Sequence, residues 1–305
     1  MVVRVAVEMG INRVRLSGGE PLARTGLVNL ITMLSRIKEI DDLSLTTNGV
    51  LLKHQAAQLK EAGLHRVNIS LDTLKRPKFQ EITGYDKLPE VLEGIAQAHR
   101  AGLAPIKINV VVMRGINDDE LPDFALLSKE GWHVRFIELM PLVDRNPNIA
   151  IGIPEYSVGA EHLPMKGSAI TDFRTDVKQP DFVSAEEMWS SLASLGKLQS
   201  CSPPNGSGPA RYYRLPSAKG TIGFITPISE HFCVRCNRLR LTADGRLLPC
   251  LLADQEIDLR APLRGGASPQ QIRRLILEAI ASKPEGHQVA QGFVPQRRFM
   301  AQVGG

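Results

Sequence analysis

The first half of the chain repeats one pattern of apolar and polar positions. In each copy a helix-like segment ends at a glycine, and a short apolar run follows within a few residues. The glycines of the four copies are Gly10, Gly63, Gly102 and Gly131. Glycine readily adopts the left-handed conformation that ends many helices, and short apolar runs are typical of strands buried on both faces. The pattern therefore predicts helices that alternate with buried strands.

Alternating helices and strands indicate right-handed βα units and a parallel sheet or barrel. The four strands that follow the glycines and a further strand at residues 43–46 make five. Helical spacing supports two of the helices, through Leu27, Leu30, Ile31 and Leu34 in one and Val91, Leu92, Ile95 and Ala98 in the other. Residues 2–9 are also typical of a helix, and no strand precedes them. We therefore expect a barrel without its first strand.

The chemistry of such folds lies at the carboxyl ends of the strands. Polar and glycine-rich residues stand at four predicted strand ends, at residues 17–21, 46–49, 70–72 and 138–141. In the first of them, Gly18 and Gly19 would let a ligand approach the backbone closely, with the carboxylate of Glu20 next to it. A tight turn that starts a helix at Pro21 explains the same residues without a ligand. Both interpretations remain open from the motif alone.

Two charged residues interrupt strands that are otherwise apolar. Lys107 lies between two isoleucines, and Arg15 lies between Val14 and Leu16. A buried charge is unfavourable unless it is paired or meets a ligand. If the apolar neighbours pack outward against helices, both charges point into the interior of the barrel. An exposed strand edge is the alternative.

The composition is ordinary for a soluble globular protein, with 43% hydrophobic and 23% charged residues. No apolar run approaches the roughly 18 residues that a membrane helix needs. Residues 1–10 contain Arg4 and Glu8 and do not have the pattern of a signal peptide. Because the chain has four cysteines and no secretory signal, we expect a reducing, cytoplasmic location without disulfides. The net charge of +5 does not by itself decide a partner.

The second half of the chain lacks the repeat. Residues 144–182 are rich in Pro, Gly and Asp and show little periodicity, so they are typical of a long loop or insertion. Ser184 and Glu187 have the spacing of a capping box that opens a short helix. Further predicted elements are strands at residues 212–215 and 220–226 and a helix at residues 269–282. The predicted organisation is a barrel region at 1–143, an insertion-like loop at 144–183 and a C-terminal region at 184–305.

Three of the four cysteines lie in one segment with the spacing C-x2-C-x13-C: Cys233, Cys236 and Cys250. Clustered thiolates are typical ligands of iron–sulfur clusters and of zinc. A structural zinc normally has four protein ligands, so three cysteines leave one coordination position open. His231 and Cys201 are the candidates for a fourth ligand, although Cys201 is more simply a free thiol in a loop.

Two arginines follow the second cysteine directly. Arg238 and Arg240 flank Leu239, and in a strand they would share one face. Two guanidinium groups on one face suit a phosphate or a carboxylate, and a solvated strand face is the alternative. The chain ends in Gly304 and Gly305, which without other information are equally typical of a frayed terminus.

Several motifs together resemble those of the GTP 3′,8-cyclases of molybdenum-cofactor biosynthesis, a family of radical S-adenosylmethionine enzymes. They are residues 18–21, residues 70–72, the cysteine segment with Asn-Arg-Leu-Arg after Cys236, and the final Gly-Gly pair. The resemblance covers nearly the whole chain apart from residues 144–182. The cysteine segment and the Gly-Gly ending are specific to the family, whereas the Gly-Gly-Glu-Pro loop is shared more widely among radical S-adenosylmethionine proteins.

The resemblance implies a partial (βα)6 TIM-like barrel of the radical S-adenosylmethionine type with a C-terminal iron–sulfur extension. The family carries two [4Fe–4S] clusters. The N-terminal cluster cleaves S-adenosylmethionine to a 5′-deoxyadenosyl radical, which abstracts the ribose 3′ hydrogen of GTP before the carbon radical attacks C8 of the guanine. The C-terminal cluster holds the purine through its open iron.

The resemblance also implies a role for individual residues. The ligands of the C-terminal cluster would be Cys233, Cys236 and Cys250. The GTP-binding residues would be Arg15, Thr46, Lys107, Arg238, Leu239 and Arg240. The S-adenosylmethionine pocket would be formed by Gly18, Gly19, Glu20, Ser70 and Met140. The catalytic tail that reaches the active site would be Gly304 and Gly305.

The implied partners are GTP, a homodimer partner and, downstream in the pathway, cyclic pyranopterin monophosphate synthase. Neither a membrane nor a nucleic acid is implied. One feature departs from the family: its C-x3-C-x2-C motif, with an adjacent arginine that contacts GTP, does not occur in the sequence, where Cys201 is the first cysteine.

We therefore expect the chain as written to bind ligands and one cluster but not to generate a radical. An N-terminally truncated cyclase and a non-catalytic pseudoenzyme that binds GTP and one [4Fe–4S] cluster both fit this expectation. A zinc-stabilised structural protein is the third alternative.

Overall fold

The computed structural model describes residues 1–140, 182–205, 208–291, 293, 295, 298 and 300–303. Its helices are α1 Val2–Glu8, α2 Leu27–Ser35, α3 Leu52–Glu61, α4 Arg76–Thr83, α5 Leu88–Arg100, α6 Leu121–Leu126, α7 Ala185–Ser191, α8 Arg260–Arg264, α9 Pro269–Ala281 and α10 Met300–Val303. Its strands are β1 Arg13–Leu16, β2 Asp42–Thr47, β3 Arg66–Ser70, β4 Lys107–Val112, β5 His133–Glu138, β6 Gln199–Ser200, β7 Arg211–Arg214, β8 Thr221–Ile225, β9 Arg240–Leu241, β10 Arg246–Leu248 and β11 Ile257–Asp258.

Eight of the strands form one sheet in the order β1-β2-β3-β4-β5-β8-β7-β6. Strands β1 to β5 and β8 are parallel, whereas β7 and β6 are antiparallel additions at the end. The five strands predicted from the repeat and the two predicted in the C-terminal region are all present. Parallel strands joined by helices confirm the predicted partial TIM-like barrel. Because β8 pairs directly with β5, the C-terminal region completes the same sheet.

The four glycines of the repeat have the predicted left-handed backbone. Their φ angles are +87° at Gly10, +101° at Gly63, +74° at Gly102 and +107° at Gly131. Gly63 is also needed for space, because a Cβ there would lie 2.5 Å from the Cβ of Ser35. The sequence repeat thus corresponds to a real structural repeat, in which a glycine ends each helical segment and the next strand follows.

The helix faces follow the predicted spacing with one exception. Helix α2 buries Leu27, Ile31 and Leu34 as expected, but Leu92 of α5 is 41% exposed, so its predicted burial is wrong. The inward face of α5 includes Gly94 instead. A Cβ at Gly94 would lie 2.6 Å from the carbonyl oxygen of Gly49, so the close approach of α5 to the start of α3 turns Leu92 outward.

A second hydrophobic cluster joins the two ends of the described chain. It contains Val5 of α1, Leu247 of β10, Ile257 of β11, and Ile272 and Ile276 of α9. Strands β9, β10 and β11 form a separate antiparallel sheet beside it. Helix α9 begins at a capping box formed by its N-cap serine, as does α7, where the box was predicted. The helix after the cysteine segment is therefore fixed against the first helix of the chain.

Most of the predicted insertion-like loop lies outside the described residues. At its end, Phe182 forms an isolated bridge with Met113, and Val183 is buried. The boundaries predicted at 143/144 and 183/184 remain a prediction. Among the described helices, none is both long and apolar enough to cross a membrane.

Candidate functional site

Polar side chains alternate with apolar ones along the parallel strands. In β3, Val67 and Ile69 belong to the hydrophobic core, while Arg66 and Asn68 are equally buried at 1% and 0% exposure. Since successive side chains of a strand point to opposite faces, the polar residues line the face away from the helices. This face is the interior of the barrel, and Arg15, Thr46 and Lys107 belong to it by the strand register.

The interior is organised by hydrogen bonds that cross from strand to strand. Arg66 donates to both carboxylate oxygens of Asp42, at 2.9 and 2.6 Å, and to Asn68 Oδ1 at 3.1 Å. Arg135 of β5 donates to the same Asn68 oxygen at 2.9 Å. Asn68 Nδ2 in turn donates to Thr46 Oγ1 at 3.4 Å. One carboxylate and one amide thereby hold two buried guanidinium groups in place.

Lys107 is buried at 1% exposure, and its ammonium group is held by backbone oxygens. Nζ donates to the carbonyl of Asn205 at 2.7 Å and to that of Pro204 at 3.4 Å, and it lies 5.8 Å from the centre of the Tyr212 ring. Burial, together with the charges of Arg66 and then Arg135, lowers the pKa of Lys107 to about 7. The predicted interior position of Lys107 is confirmed.

Arg15 faces the same interior by strand register but is exposed, because β1 is the edge strand of the sheet. The alternative of an exposed strand edge therefore describes Arg15 better than it describes Lys107. Desolvation and then the charge of Arg135 lower the pKa of Arg15 to about 9. Desolvation is the larger cause, and the charges of Arg66 and Arg238 add to that of Arg135.

Two buried polar atoms have no hydrogen-bond partner within the described part of the chain. They are Oδ1 of Asn109 and Nε of Arg135. Asn109 and Arg135 stand opposite each other in the register of β4 and β5. Unsatisfied polar atoms in a native interior are rare, and here they lie in the cationic interior of the barrel. An acceptor or donor supplied by a bound ligand would satisfy them.

Glu20 links the ends of two neighbouring strands. Its buried carboxylate accepts from the amide of Leu22 at 3.0 Å, from the Thr47 hydroxyl at 2.6 Å and from the amide of Asn48 at 2.8 Å. Burial raises the pKa of Glu20, and the three hydrogen bonds oppose that shift. The Glu20 side chain therefore supports the loop after β1. Gly18, with a φ of +143°, lies in this loop at the end of the strand.

The remaining predicted rim residues lie at strand ends on the same side. Ser70 is the last residue of β3 and is exposed, and Met140 follows the end of β5. Next to Ser70, Asp72 accepts a hydrogen bond from the amide of Val111 at 2.8 Å. Burial raises the pKa of Asp72 to about 6 against that hydrogen bond.

A buried glutamate joins the barrel to the cysteine segment. Glu138 at the end of β5 accepts from the backbone amides of Ile228 at 2.8 Å, Ser229 at 3.0 Å and Ala185 at 3.1 Å. The Ser229 hydroxyl donates to the same carboxylate. Because residue 229 precedes the first cysteine of the segment by only four positions, Glu138 fixes where that segment leaves the barrel.

The three cysteines of the motif come from an irregular part of the chain. Cys233 begins a single 3-10 turn, and the amide of Cys236 donates to the Cys233 carbonyl at 3.0 Å. All three thiols are partly exposed. Burial raises the pKa of Cys250, and the charges of Cys233 and Cys236 raise it further. The charges of the other two thiols are thus felt at Cys250.

Cations surround the thiols. Lys283, just after α9, donates to the carbonyl of Arg238 at 2.8 Å and to that of Pro249 at 2.7 Å, and thereby ties together the backbone after Cys236 and before Cys250. Although burial of Cys236 acts the other way, the Arg238 amide and the charges of Arg238 and Lys283 lower its thiol pKa. These groups thus favour the thiolate of Cys236, the form that binds metal.

The two predicted arginines are close to each other but are not arranged as predicted. Strand β9 begins at Arg240, so the prediction that Arg238 shares a strand with it is wrong. The chain from the 3-10 turn to Leu239 has no regular secondary structure. Desolvation and the charge of Arg238 lower the pKa of Arg240 to about 10, and the charges of Cys236 and Cys250 oppose this shift.

Other predictions of site residues have different outcomes. Cys201 follows β6, and its amide donates to the Tyr212 carbonyl at 3.0 Å. Burial raises the pKa of Cys201, and Arg214, rather than another cysteine, provides the opposing charge. The predicted tail residues Gly304 and Gly305 lie outside the described residues.

The sequence predictions did not include several residues of the candidate site. Arg66, Asn68 and Arg135 show the same alternation with apolar neighbours that identified Lys107, so the signal was present. Lys283 carried no such signal, since it lies more than thirty residues beyond Cys250.

Fold and site together define an α/β barrel protein with a cationic interior and a C-terminal segment that carries three cysteines. Comparison with family models agrees. The Radical SAM superfamily matches residues 1–127, and Molybdenum Cofactor Synthesis C matches residues 170–289.

The chain also matches curated relatives over its whole length. It is 47% identical to the GTP 3′,8-cyclase of Desulforamulus reducens, 48% to that of Pelotomaculum thermopropionicum and 44% to that of Moorella thermoacetica. Each alignment covers 100% of this chain and 85% of the relative. The chain belongs to the GTP 3′,8-cyclase family, which confirms the resemblance found in the sequence.

One solved structure, that of TYW1 with a lysine-pyruvate adduct bound, is similar at 17% identity and a TM-score of 0.39. The similarity covers 66% of this chain and 61% of that one.

Proposed function

We propose that this chain binds GTP in the cationic interior of its barrel, in the reaction that forms (8S)-3′,8-cyclo-7,8-dihydroguanosine 5′-triphosphate at the start of molybdopterin biosynthesis. The observation that carries the proposal is the excess of buried cations. Arg66, Lys107 and Arg135 are each at most 3% exposed, and Asp42 is the carboxylate that Arg66 pairs with. Like charges held together in a buried site favour a polyanionic ligand such as a triphosphate.

Different residues would bind different parts of the nucleotide. Arg238 and Arg240 would bind phosphate oxygens next to the cysteine segment, and Arg15 and Lys107 would bind them from the strands. Arg135 would add its unsatisfied Nε, a buried donor that a phosphate oxygen suits well. Thr46 and Leu239 would contact the nucleoside. GTP would replace the Asn205 carbonyl as the partner of the Lys107 ammonium.

The three-cysteine site fits an iron–sulfur cluster. Three partly exposed thiols, with the cations Arg238 and Lys283 near Cys236, are the type of ligand that such clusters use. We propose Cys233, Cys236 and Cys250 as ligands of a [4Fe–4S] cluster. When bound, such a cluster offers an open iron that can hold the purine. Arg238, Arg240 and Lys283 would stabilise the anionic thiolates, and Glu138 would fix the segment against the barrel.

The rim is the proposed site of S-adenosylmethionine, the cofactor that membership of the radical S-adenosylmethionine superfamily implies together with an iron–sulfur cluster. The backbone at Gly18 and Gly19, with Ser70 and Met140, would contact it, while Glu20 would hold the loop in place. Residues 1–200 contain no cysteine, so no step of radical generation is assigned to them. Gly304 and Gly305 would complete the active site, a homodimer is proposed as the assembly, and cyclic pyranopterin monophosphate synthase would use the product.

Two measurements on the anaerobically reconstituted chain test this proposal. Iron and acid-labile sulfide should be found in equal amounts, and GTP should bind more tightly than GDP, GMP and guanosine in that order, since each phosphate adds charge. Zinc bound without sulfide would overturn the cluster and support the zinc-stabilised alternative. Equal affinities for GTP and guanosine would overturn the role of the cationic interior.

A further inference from the structure

A second group of metal-binding side chains overlaps the cysteine segment. His231, Cys233 and His287 each offer one ligand atom, and these atoms all lie within 4.8 Å of one another. His231 precedes Cys233 by two positions, whereas His287 follows α9. The packing of α9 against α1 and β10 therefore brings the second histidine to the first, and no local sequence motif unites the three.

The geometry of the two imidazoles suits a single ion. His231 Nδ1 lies 3.1 Å from His287 Nε2, and the two rings meet edge to face with their centres 4.6 Å apart. Zinc binds histidine nitrogen at about 2.0–2.1 Å, so two nitrogens on one tetrahedral ion lie about 3.3 Å apart. Two histidines and one thiolate are also donors that zinc prefers. The three side chains are exposed or partly exposed, so an ion can reach them.

The same two nitrogens also lie within hydrogen-bonding distance of a backbone carbonyl. The Pro227 carbonyl accepts from His287 Nε2 at 2.6 Å and lies 3.2 Å from His231 Nδ1. A metal ion bound at His287 Nε2 would replace the hydrogen bond to this oxygen, and the ring proton would move to Nδ1, where a neutral imidazole can carry it. A hydrogen-bonded histidine pair that only fixes the loop is the alternative that the test must exclude.

We propose that His231, Cys233 and His287 form a mononuclear Zn²⁺ site that is distinct from the three-cysteine site. The two sites share the thiolate of Cys233 and therefore compete for it. Zinc bound to the histidine pair withdraws Cys233 from the cluster, and a chain in that state does not accept a complete cluster. The site makes cluster assembly sensitive to zinc.

The test isolates the proposed site by removing the other two cysteines. The variant Cys236→Ser with Cys250→Ser is titrated with Co²⁺ and Zn²⁺ under anaerobic, reducing conditions. It should bind one ion, and the Co²⁺ form should show thiolate-to-cobalt charge transfer from a single sulfur. Adding His287→Ala should weaken binding at least tenfold. Failure of the double variant to bind, or equal affinity with and without His287, would overturn the proposal.

Controls separate metal binding from folding. His287→Asn retains a donor for the Pro227 carbonyl but loses the imidazole, so it should lose metal affinity while keeping the circular dichroism of the parent. If the double variant does not fold, the same comparison is made in Cys250→Ala alone. There, loss of zinc on replacing Cys236 but not on replacing His287 would assign the ion to the cysteine site.

A second measurement uses the unmodified chain. Zinc added during reconstitution should reduce the yield of cluster, and His287→Ala should relieve that inhibition. Equal inhibition in both proteins would contradict competition through the histidine pair. Absence of a cluster even without zinc would instead count against the proposed function, so the two failures are distinguishable.

Discussion

The barrel interior and the cysteine segment, the two halves of the proposed site, hold their side chains by different means. In the interior, functional side chains sit on regular strands, and Asp42 and Asn68 fix Arg66 and Arg135 through short hydrogen bonds. In the cysteine segment, regular structure is limited to one 3-10 turn and the short strands β9 and β10. Its geometry depends on distant anchors, Glu138 on one side and Lys283 on the other.

The difference reflects the ligands. A triphosphate must be met by several charges at fixed positions, and neighbouring strands provide such positions at low conformational freedom. Thiolates that ligate a cluster are fixed by the cluster itself once it is bound, so the protein needs only to bring them together. We therefore expect the interior to be formed before its ligand binds and the cysteine segment to be completed by its ligand.

The largest expected effect is loss of the cluster, which concerns the cysteine segment alone. Replacing Cys250 with Ala removes one of three cluster ligands, so the visible absorbance of the reconstituted chain and its bound iron and sulfide should be lost. Cys201→Ala is the matched control and should leave the cluster intact. Unchanged colour in Cys250→Ala would contradict the ligand role, and loss of colour in Cys201→Ala would assign a ligand that the proposal does not include.

The second effect concerns Arg238 and Arg240, which lie between the barrel interior and the cysteine segment in the proposed site. Arg238→Gln with Arg240→Gln should weaken GTP binding about 100-fold or more, because charge-assisted hydrogen bonds contribute about 1.5–3 kcal/mol each. Binding is measured by calorimetry, with guanosine as the ligand that lacks phosphates. The control Arg264→Gln with Arg274→Gln removes the same charge from exposed positions. Unchanged GTP affinity would place both arginines on a solvated face.

The third effect concerns the interior alone. The pKa of Lys107 is about 7 without a ligand, and an adjacent phosphate favours the charged form, so binding raises that pKa. Between the two values GTP binding takes up a proton, and the affinity should fall as the pH rises above about 7, by at most tenfold per unit.

Calorimetry in buffers of different ionisation enthalpy measures this proton uptake. Lys107→Met removes the group and should remove the Lys107 contribution, leaving only the opposite titration of the nucleotide phosphate. The same proton uptake in wild type and Lys107→Met would show that Lys107 does not titrate on binding.

The smallest effect concerns the anchor of the cysteine segment. Lys283→Met removes two hydrogen bonds and a nearby charge, so a chelator should extract the iron a few-fold faster, as followed by the loss of visible absorbance. Lys283→Arg retains the charge and should restore part of the stability. The exposed Lys197→Met is the control for a lost charge. Extraction at the wild-type rate in Lys283→Met would show that the segment does not need this anchor.

Sequence reasoning found the barrel because each unit carries its own signal: an apolar helix face, a glycine and a short strand. It found Lys107 because a charge among buried apolar neighbours is unfavourable without a partner. Arg15, selected by the same argument, is exposed on the edge strand β1. Sequence reasoning did not find the network of Arg66, Asn68 and Arg135, since that depends on which strands are neighbours and in which register. The same alternation argument, applied to every strand, would have identified all three.

The cysteine segment shows where local reasoning fails. Its spacing identified the three thiols, but the arginines were placed on one strand that the irregular backbone does not form. Lys283 and His287 lie far along the chain and reach the segment only because α9 packs against α1 and β10. Such long-range contacts leave no periodic trace in the sequence.

The pairing of β5 with β8 sets the order in which the site can form during synthesis. His133 and Thr221 are paired neighbours in the sheet although 88 positions separate them. Bringing them together closes a long loop, a step that slows folding more than it lowers stability. Until the ribosome has released β8, the face that carries Arg135 has an open edge beside it. We therefore expect the proposed nucleotide pocket to be completed only once β8 has paired with β5.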